Sequence, residues 1–299
     1  MTNKYIRIGC IAIGILFLIS IATPVLASVD GEDTGIVKDG DGFKGVYEKA
    51  KPPGTPGGGG GGGGGGGKPP EPPAVDKWAV VIGIADYKGI GNDLLYTDDD
   101  AVDMYNYLIS KDYPEDNIKL LLNAKASARN ILKAIDWMNG KEEKTTSECV
   151  FFYSGHGSTY DGYDDGDDEY TDEAIVTADL YLILDGQLRA KFSSFASEKI
   201  AFIFDSCYSG GMDDIAGTGR VVVTACAEEE LSYDGTAAMQ NGVFTYHYVG
   251  HSGSGLYTYN TVEEAFDYAA PLATADAYYL YGATMNPQIF DNYGGLWTF

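Results

Sequence analysis

Basic residues are scarce in this chain of 299 residues: 20 Lys and Arg stand against 44 Asp and Glu, a formal net charge of −24. Nucleic acid is excluded as a partner, because phosphate binding needs clustered cations that are missing here. An anionic membrane surface is disfavoured for the same reason. Metal cations and substrates bearing Lys or Arg are the partners such a field attracts. Cysteine is also scarce. Of four, Cys10 lies in an N-terminal apolar segment, leaving Cys149, Cys207 and Cys226. An odd number without paired spacing excludes a disulfide-built scaffold, so each thiol needs its own account.

What is present divides the chain in three. Residues 1–27 carry Lys4 and Arg7, an apolar stretch from Ile8 to Ala22, and the ending Val25-Leu26-Ala27. This is the order of a secretory signal, which predicts a secreted or cell-surface protein; an uncleaved anchor is the other reading and the only route to a membrane. Residues 28–76 form a linker, with eleven consecutive glycines from Gly57 to Gly67 between Lys51-Pro52-Pro53 and Lys68-Pro69-Pro70. Polyglycine between stiff proline blocks is a tether without a fold.

From Lys77 to Phe299 strand and helix signals alternate. Continuous apolar runs at Trp78–Ile84, Ile118–Leu122, Glu148–Tyr153, Lys199–Phe204 and Gly219–Thr224 read as buried parallel strands. Helical spacing covers Asp98–Ser110, capped by Thr97 or Asp98, and Ser127–Trp137; Glu263–Ala269 reads as a late helix and Tyr278–Ala283 as a last strand. Strands separated by helix-length segments predict an α/β sandwich: a mostly parallel central sheet with helices on both faces.

Ligands of open α/β sheets bind beyond the C-terminal ends of the strands. Two predicted strand ends carry reactive groups: Tyr153-Ser154-Gly155-His156-Gly157 and Asp205-Ser206-Cys207-Tyr208-Ser209-Gly210. An imidazole beside a thiol can take its proton and generate a nucleophile. Gly157 leaves room for a substrate carbonyl to approach backbone N–H groups, and with the Cys207 N–H these would form an oxyanion hole. Cys149 and Cys226 are expected in the core, and His247 and His251 in structural roles.

These two motifs resemble those of metacaspases and other caspase-like cysteine peptidases. The interval from His156 to Cys207 has the size caspases show. The resemblance extends over roughly Lys77 to Phe299 and includes Asp86-Tyr87, Asp98-Asp99-Asp100 and Asn241-Gly242-Val243-Phe244-Thr245. It implies a caspase-like three-layer sandwich and a cysteine endopeptidase with Cys207 as nucleophile and His156 as general base, needing no organic cofactor. Asp205 matches the acid that gives metacaspases their basic specificity, so the implied substrates are proteins or peptides cut after Arg or Lys. Tyr208 departs from the pattern, which usually has His. Metacaspases are commonly monomers, and the resemblance implies the same here.

Two acidic features remain. Asp164, Asp165, Asp167, Asp168 and Asp172 cluster with glycines, as a Ca²⁺ ion requires, but without the spacing of an EF-hand. The resemblance adds Asp214 and implies calcium activation; a solvated loop is the plain alternative. Glu228-Glu229-Glu230 reads as the first turn of a helix, while Asp234 is either part of that turn or part of the substrate pocket. Two rival functions stay open: a legumain-like peptidase cutting after Asn, and a tethered calcium-binding surface module without catalysis.

Overall fold

The computed structural model describes residues 6–7, 76–89, 91–142, 145–161, 171–251 and 253–299. The signal segment apart from Ile6 and Arg7, the linker up to residue 75, and Asp164, Asp165, Asp167 and Asp168 lie outside the described residues.

In chain order the elements are β1 (Ile6–Arg7), β2 (Lys77–Gly83), α1 (Thr97–Ser110), β3 (Ile118–Leu122), α2 (Ala128–Asn139), β4 (Glu148–Ser154), β5 (Gly157–Asp161), β6 (Thr171–Val176) and β7 (Tyr181–Leu184). They continue with α3 (Asp185–Phe192), β8 (Ile200–Asp205), β9 (Arg220–Thr224), α4 (Val243–Tyr248), α5 (Gly255–Tyr259), α6 (Val262–Tyr281) and β10 (Gln288–Asp291). The large sheet has the order β10-β9-β8-β4-β2-β3, parallel except for β10. Its strands are apolar at consecutive positions because both faces are covered. Ala79, Val81, Phe152 and Ile203 pack on the side of α1, α4 and α6, whereas Val80, Ile82, Phe151 and Phe202 pack on the side of α2 and α3. The predicted sandwich is the observed one. No described helix is long and apolar enough to cross a membrane.

Four local expectations are corrected. Tyr278–Ala283 is not a strand: Tyr278–Tyr281 is the last turn of α6, which runs on through Pro271. Ala265, Ala269, Ala273 and Ala277 recur every fourth residue and are fully buried, and this stripe outweighs the β preference of the tyrosines. The last strand is β10, antiparallel at the sheet edge. Neither Thr97 nor Asp98 caps α1. The N-cap position is Tyr96, and the Thr97 hydroxyl donates to the Ile84 carbonyl at 2.6 Å. No helix follows Glu228–Glu230, which form a turn. Finally, the stretch beyond His156 holds more than a loop: β5, β6 and β7 form an antiparallel sheet, to whose edge Ile6–Arg7 pair at Tyr181 and Leu182.

The crossover β2–α1–β3 runs toward one sheet edge, and β3–α2–β4 returns past β2 to its other side. This reversal opens a crevice at the C-terminal ends of β2 and β4, with the end of β8 beside them.

Candidate active site

The register of β4 with β8 pairs Ser154 with Asp205 at the last rung, so His156 and Cys207 each stand two residues beyond a paired position. The tips are packed backbone to backbone. A Cβ on Gly157 would fall 1.9 Å from the Cys207 carbonyl oxygen, and no residue but glycine allows that approach. His156 and Cys207 share a cavity of about 40 Å³ with Asp205, Ser232, Asp234 and Gly242.

His156 is held at three atoms. Its N–H donates to the Tyr87 hydroxyl at 2.7 Å, its carbonyl accepts from the Tyr153 hydroxyl at 2.7 Å, and its Nε2 lies 2.8 Å from the Asn92 carbonyl. A carbonyl can only accept, so Nε2 carries the proton and Nδ1 keeps its lone pair. Burial lowers the imidazole pKa, an effect that the Asn92 contact and the nearby Asp93 charge oppose. The ring is therefore a neutral base at neutral pH. The Cys207 thiol is pushed up to about 11, chiefly by burial, and Sγ lies 3.6 Å from the Ser232 carbonyl. Burial thus favours neutral thiol and neutral imidazole over an ion pair. Tyr208, next in the chain, has a φ of 59°.

Asp205 is buried beneath this pair. Its Oδ1 accepts from the Ser232 hydroxyl at 2.6 Å, and its Oδ2 from the Thr245 N–H at 3.0 Å and hydroxyl at 2.7 Å. A second carboxylate faces it: Asp100, fully buried on α1, accepts from the Ser154 hydroxyl at 2.6 Å and the Gly242 N–H at 2.9 Å. The two converge on Gly242, where a Cβ would meet Asp205 Oδ2 at 2.7 Å and Asp100 Oδ2 at 3.0 Å. Burial raises both pKa values; for Asp100 the Asp205 charge adds to the rise, and the hydrogen bonds oppose it at each acid. Among the described residues no Lys or Arg pairs with either carboxylate by salt bridge, so both are held by hydrogen bonds alone.

Of the other expected site residues, Asp234 lies in the cavity wall, its Oδ2 accepting from the Leu95 N–H at 3.1 Å. Asp172 is buried in β6, and Asp214 pairs with Arg189 at 3.0 Å. Among the described residues no group of three or more His, Cys, Asp or Glu is arranged to hold a metal ion. Cys149 and Cys226 are buried. His247 joins α4 to α6 through Asp276 at 2.8 Å, and exposed His251 packs edge-on against Tyr246. Sequence reasoning missed Asp100 as the buried carboxylate behind Asp205. The acidic start of α1 drew attention, but only the burial of its third residue separates it from Asp98 and Asp99. A larger cleft of about 530 Å³, lined among others by Asp99, Asp103 and Tyr257, has no cysteine in its lining.

The profile of the family described as the caspase domain matches residues 76–267. Metacaspase-1 of Candida albicans is 32% identical over 157 residues, covering 46% of this chain and 34% of that protein. Metacaspase-4 of Arabidopsis thaliana is 33% identical over 150 residues, covering 47% and 35%. The chain thus spans about a third of the length of these relatives. The fold is also similar to the crystal structure of protein GSU0716 from Geobacter sulfurreducens, with a TM-score of 0.57, 17% identity, and coverage of 74% of this chain and 94% of that one.

Proposed function

The chain belongs to the caspase-domain family, and from that premise we propose that it is a cysteine endopeptidase cutting after Arg or Lys. The observation that carries the specificity is Asp205, a buried carboxylate in the wall of the cavity that holds Cys207 and His156, with Asp100 behind it across Gly242. A guanidinium or ammonium entering there meets Asp205 and offsets the charge of Asp100 behind it. An Asn side chain, as legumain-like cleavage requires, would leave them without a counter-charge.

In this reading the scissile carbonyl lies against the N–H groups of Gly157 and Cys207, which stabilise the oxyanion. Nδ1 of His156 takes the Sγ proton as sulfur attacks, then delivers it to the departing amine. The resulting thioester is hydrolysed by water, with the same nitrogen as base. The Asn92 carbonyl keeps the imidazole in the tautomer this requires.

Calcium assistance and export are part of the same proposal. Asp172 follows directly on the acidic stretch that contains Asp164, Asp165, Asp167 and Asp168, and such oxygens suit a hard cation. The Asp214 carboxylate fits this role poorly, being engaged by Arg189. Export rests on the basic, apolar and small-residue order of residues 1–27.

The test is a peptide panel with Arg, Lys, Asn or Asp before the scissile bond, run on the purified full chain and on Cys207→Ala, with Ca²⁺ and with chelator. Cleavage confined to Arg and Lys, lost by about 10³-fold or more in the variant, is the expected outcome. Undiminished cleavage by Cys207→Ala would overturn the nucleophile, and cleavage after Asn would overturn the pocket. Equal rates with chelator would remove calcium, and N-terminal sequencing of secreted protein tests processing after Ala27.

A further inference from the structure

The segment from Cys226 to Asp234 leaves the tip of β9 and passes along the reactive edge, touching each part of the machinery. The Cys226 thiol lies 3.3 Å from the carbonyls of Ser206 and Glu230 and 3.5 Å from the Ser209 hydroxyl. The Glu230 carbonyl accepts the Tyr208 N–H at 2.8 Å. Ser232 meets the Cys207 sulfur with its carbonyl and the Asp205 carboxylate with its hydroxyl. Asp234 accepts the Leu95 N–H, in the loop whose Asn92 carbonyl holds His156.

Tyr208 is where this strap has the most to hold. A tyrosine at φ 59° occupies the left-handed region, a conformation that is unfavourable for an L-residue and persists only when its surroundings impose it. The immediate restraint is the Glu230 carbonyl. Glu230 is itself fixed: Oε2 accepts from the N–H groups of Asn286 at 2.7 Å and Ala227 at 3.2 Å, and Oε1 accepts from Nδ2 of Asn286 at 2.6 Å. Its own N–H donates to the Ala227 carbonyl at 3.0 Å. Asn286 lies between α6 and β10, so one carboxylate ties the strap to a distant part of the chain.

We propose that Glu230 is a positioning residue for Cys207: its carboxylate anchors the strap to Asn286, so that its carbonyl holds the strained turn on which the thiol is presented. The catalytic consequence rests on the reading of Cys207 as nucleophile; the restraint on the turn does not. Removing the carboxylate leaves two backbone N–H groups and a side-chain amide without their acceptor, and the turn relaxes toward an unstrained φ. The thiol then gains solvent while losing its alignment to the substrate carbonyl.

The thiols of Cys149 and Cys207 report this directly. In the full chain, iodoacetamide labelling of each cysteine is followed by mass spectrometry for wild type, Glu230→Ala and Glu230→Gln, beside kcat and KM for an Arg peptide. Glu230→Ala is expected to label faster at Cys207, severalfold, while Cys149 in the core stays as protected as in wild type. Its kcat is expected to fall about 10–100-fold, the scale for misplaced reacting groups, with KM within about threefold. Glu230→Gln, which keeps one acceptor oxygen, restores much of both. Labelling of Cys207 at the wild-type rate overturns the proposal. So does labelling of Cys149 that rises in step, since this marks a general loss of stability. If wild type cleaves no peptide, the peptidase reading fails and the labelling arm still decides the role of Glu230.

Discussion

Asp100 and Asp205 confront each other across the width of one glycine, and their protonation links specificity to pH. Both are carboxyls whose pKa is raised in the folded chain. The native state therefore holds protons that the unfolded state releases above its ordinary carboxylate range. By linkage, these acids favour the fold fully at low pH, and that contribution is lost as pH rises from the unfolded pKa through the raised one. Binding a basic side chain needs the opposite state, both acids ionised. Activity on Arg peptides is thus expected to fall on acidification while stability does not. Asp100→Asn and Asp205→Asn should each lower kcat/KM for such peptides by about 30-fold or more, the cost of truncating a buried charge partner. Each should also flatten the decline of Tm with pH, because a like charge has gone. A pH series of Tm and kcat/KM on the three proteins checks both, and a wild-type Tm profile identical to those of the variants would sink the idea. Asp205 was singled out in the sequence only through the resemblance to metacaspases, and the structure places it in the cavity wall. Asp100 was not, since three consecutive aspartates look alike until burial selects one.

Among the elements, the parallel strands were readable as unbroken apolar runs and the first two helices by their helical period. The small sheet of β5, β6 and β7 was hidden by the charges that interrupt it, and β10 by its half-buried edge position. Helix α6 shows the two kinds of signal in conflict. Its alanine stripe packs on the core, while the Tyr-Tyr-Leu-Tyr sequence at its end has strand propensity and Pro271 stands in its middle. Tyr278 and Tyr279 are 71% and 84% exposed, so the tyrosines are carried by the helix and do not direct it. Pro271 removes a backbone donor and crowds the preceding turn on the exposed face. Pro271→Ala is expected to stabilise the domain by about 1–3 kcal/mol. At about 2–4 °C per kcal/mol for a domain of this size, thermal unfolding should rise by several degrees with no change in kcat. An unchanged or lower Tm would mean that the proline fits a bend the packing requires.

At the scale of the whole molecule, the chain carries a net charge of −24, and the proposed pocket adds buried carboxylates of the same sign. The two effects are separable by range. The contacts of Asp100 and Asp205 act at hydrogen-bond distance and are shielded from salt by burial, whereas the general field acts through solvent and decays over about 8 Å at physiological ionic strength. The field raises the encounter rate with basic peptides and lowers it with acidic ones. Two Arg peptides of equal length, one with further Lys residues outside the cleaved bond and one with Glu residues there, should therefore diverge at low salt and converge at high salt. From about 20 to 300 mM NaCl at fixed Ca²⁺, kcat/KM for the basic peptide is expected to fall severalfold and that for the acidic one to stay level or rise. The preference for Arg over Asn before the scissile bond should survive throughout, because it resides in the buried pair. If instead salt erased that preference, the selectivity would belong to the surface field and the Asp100–Asp205 pocket would lose its assigned role.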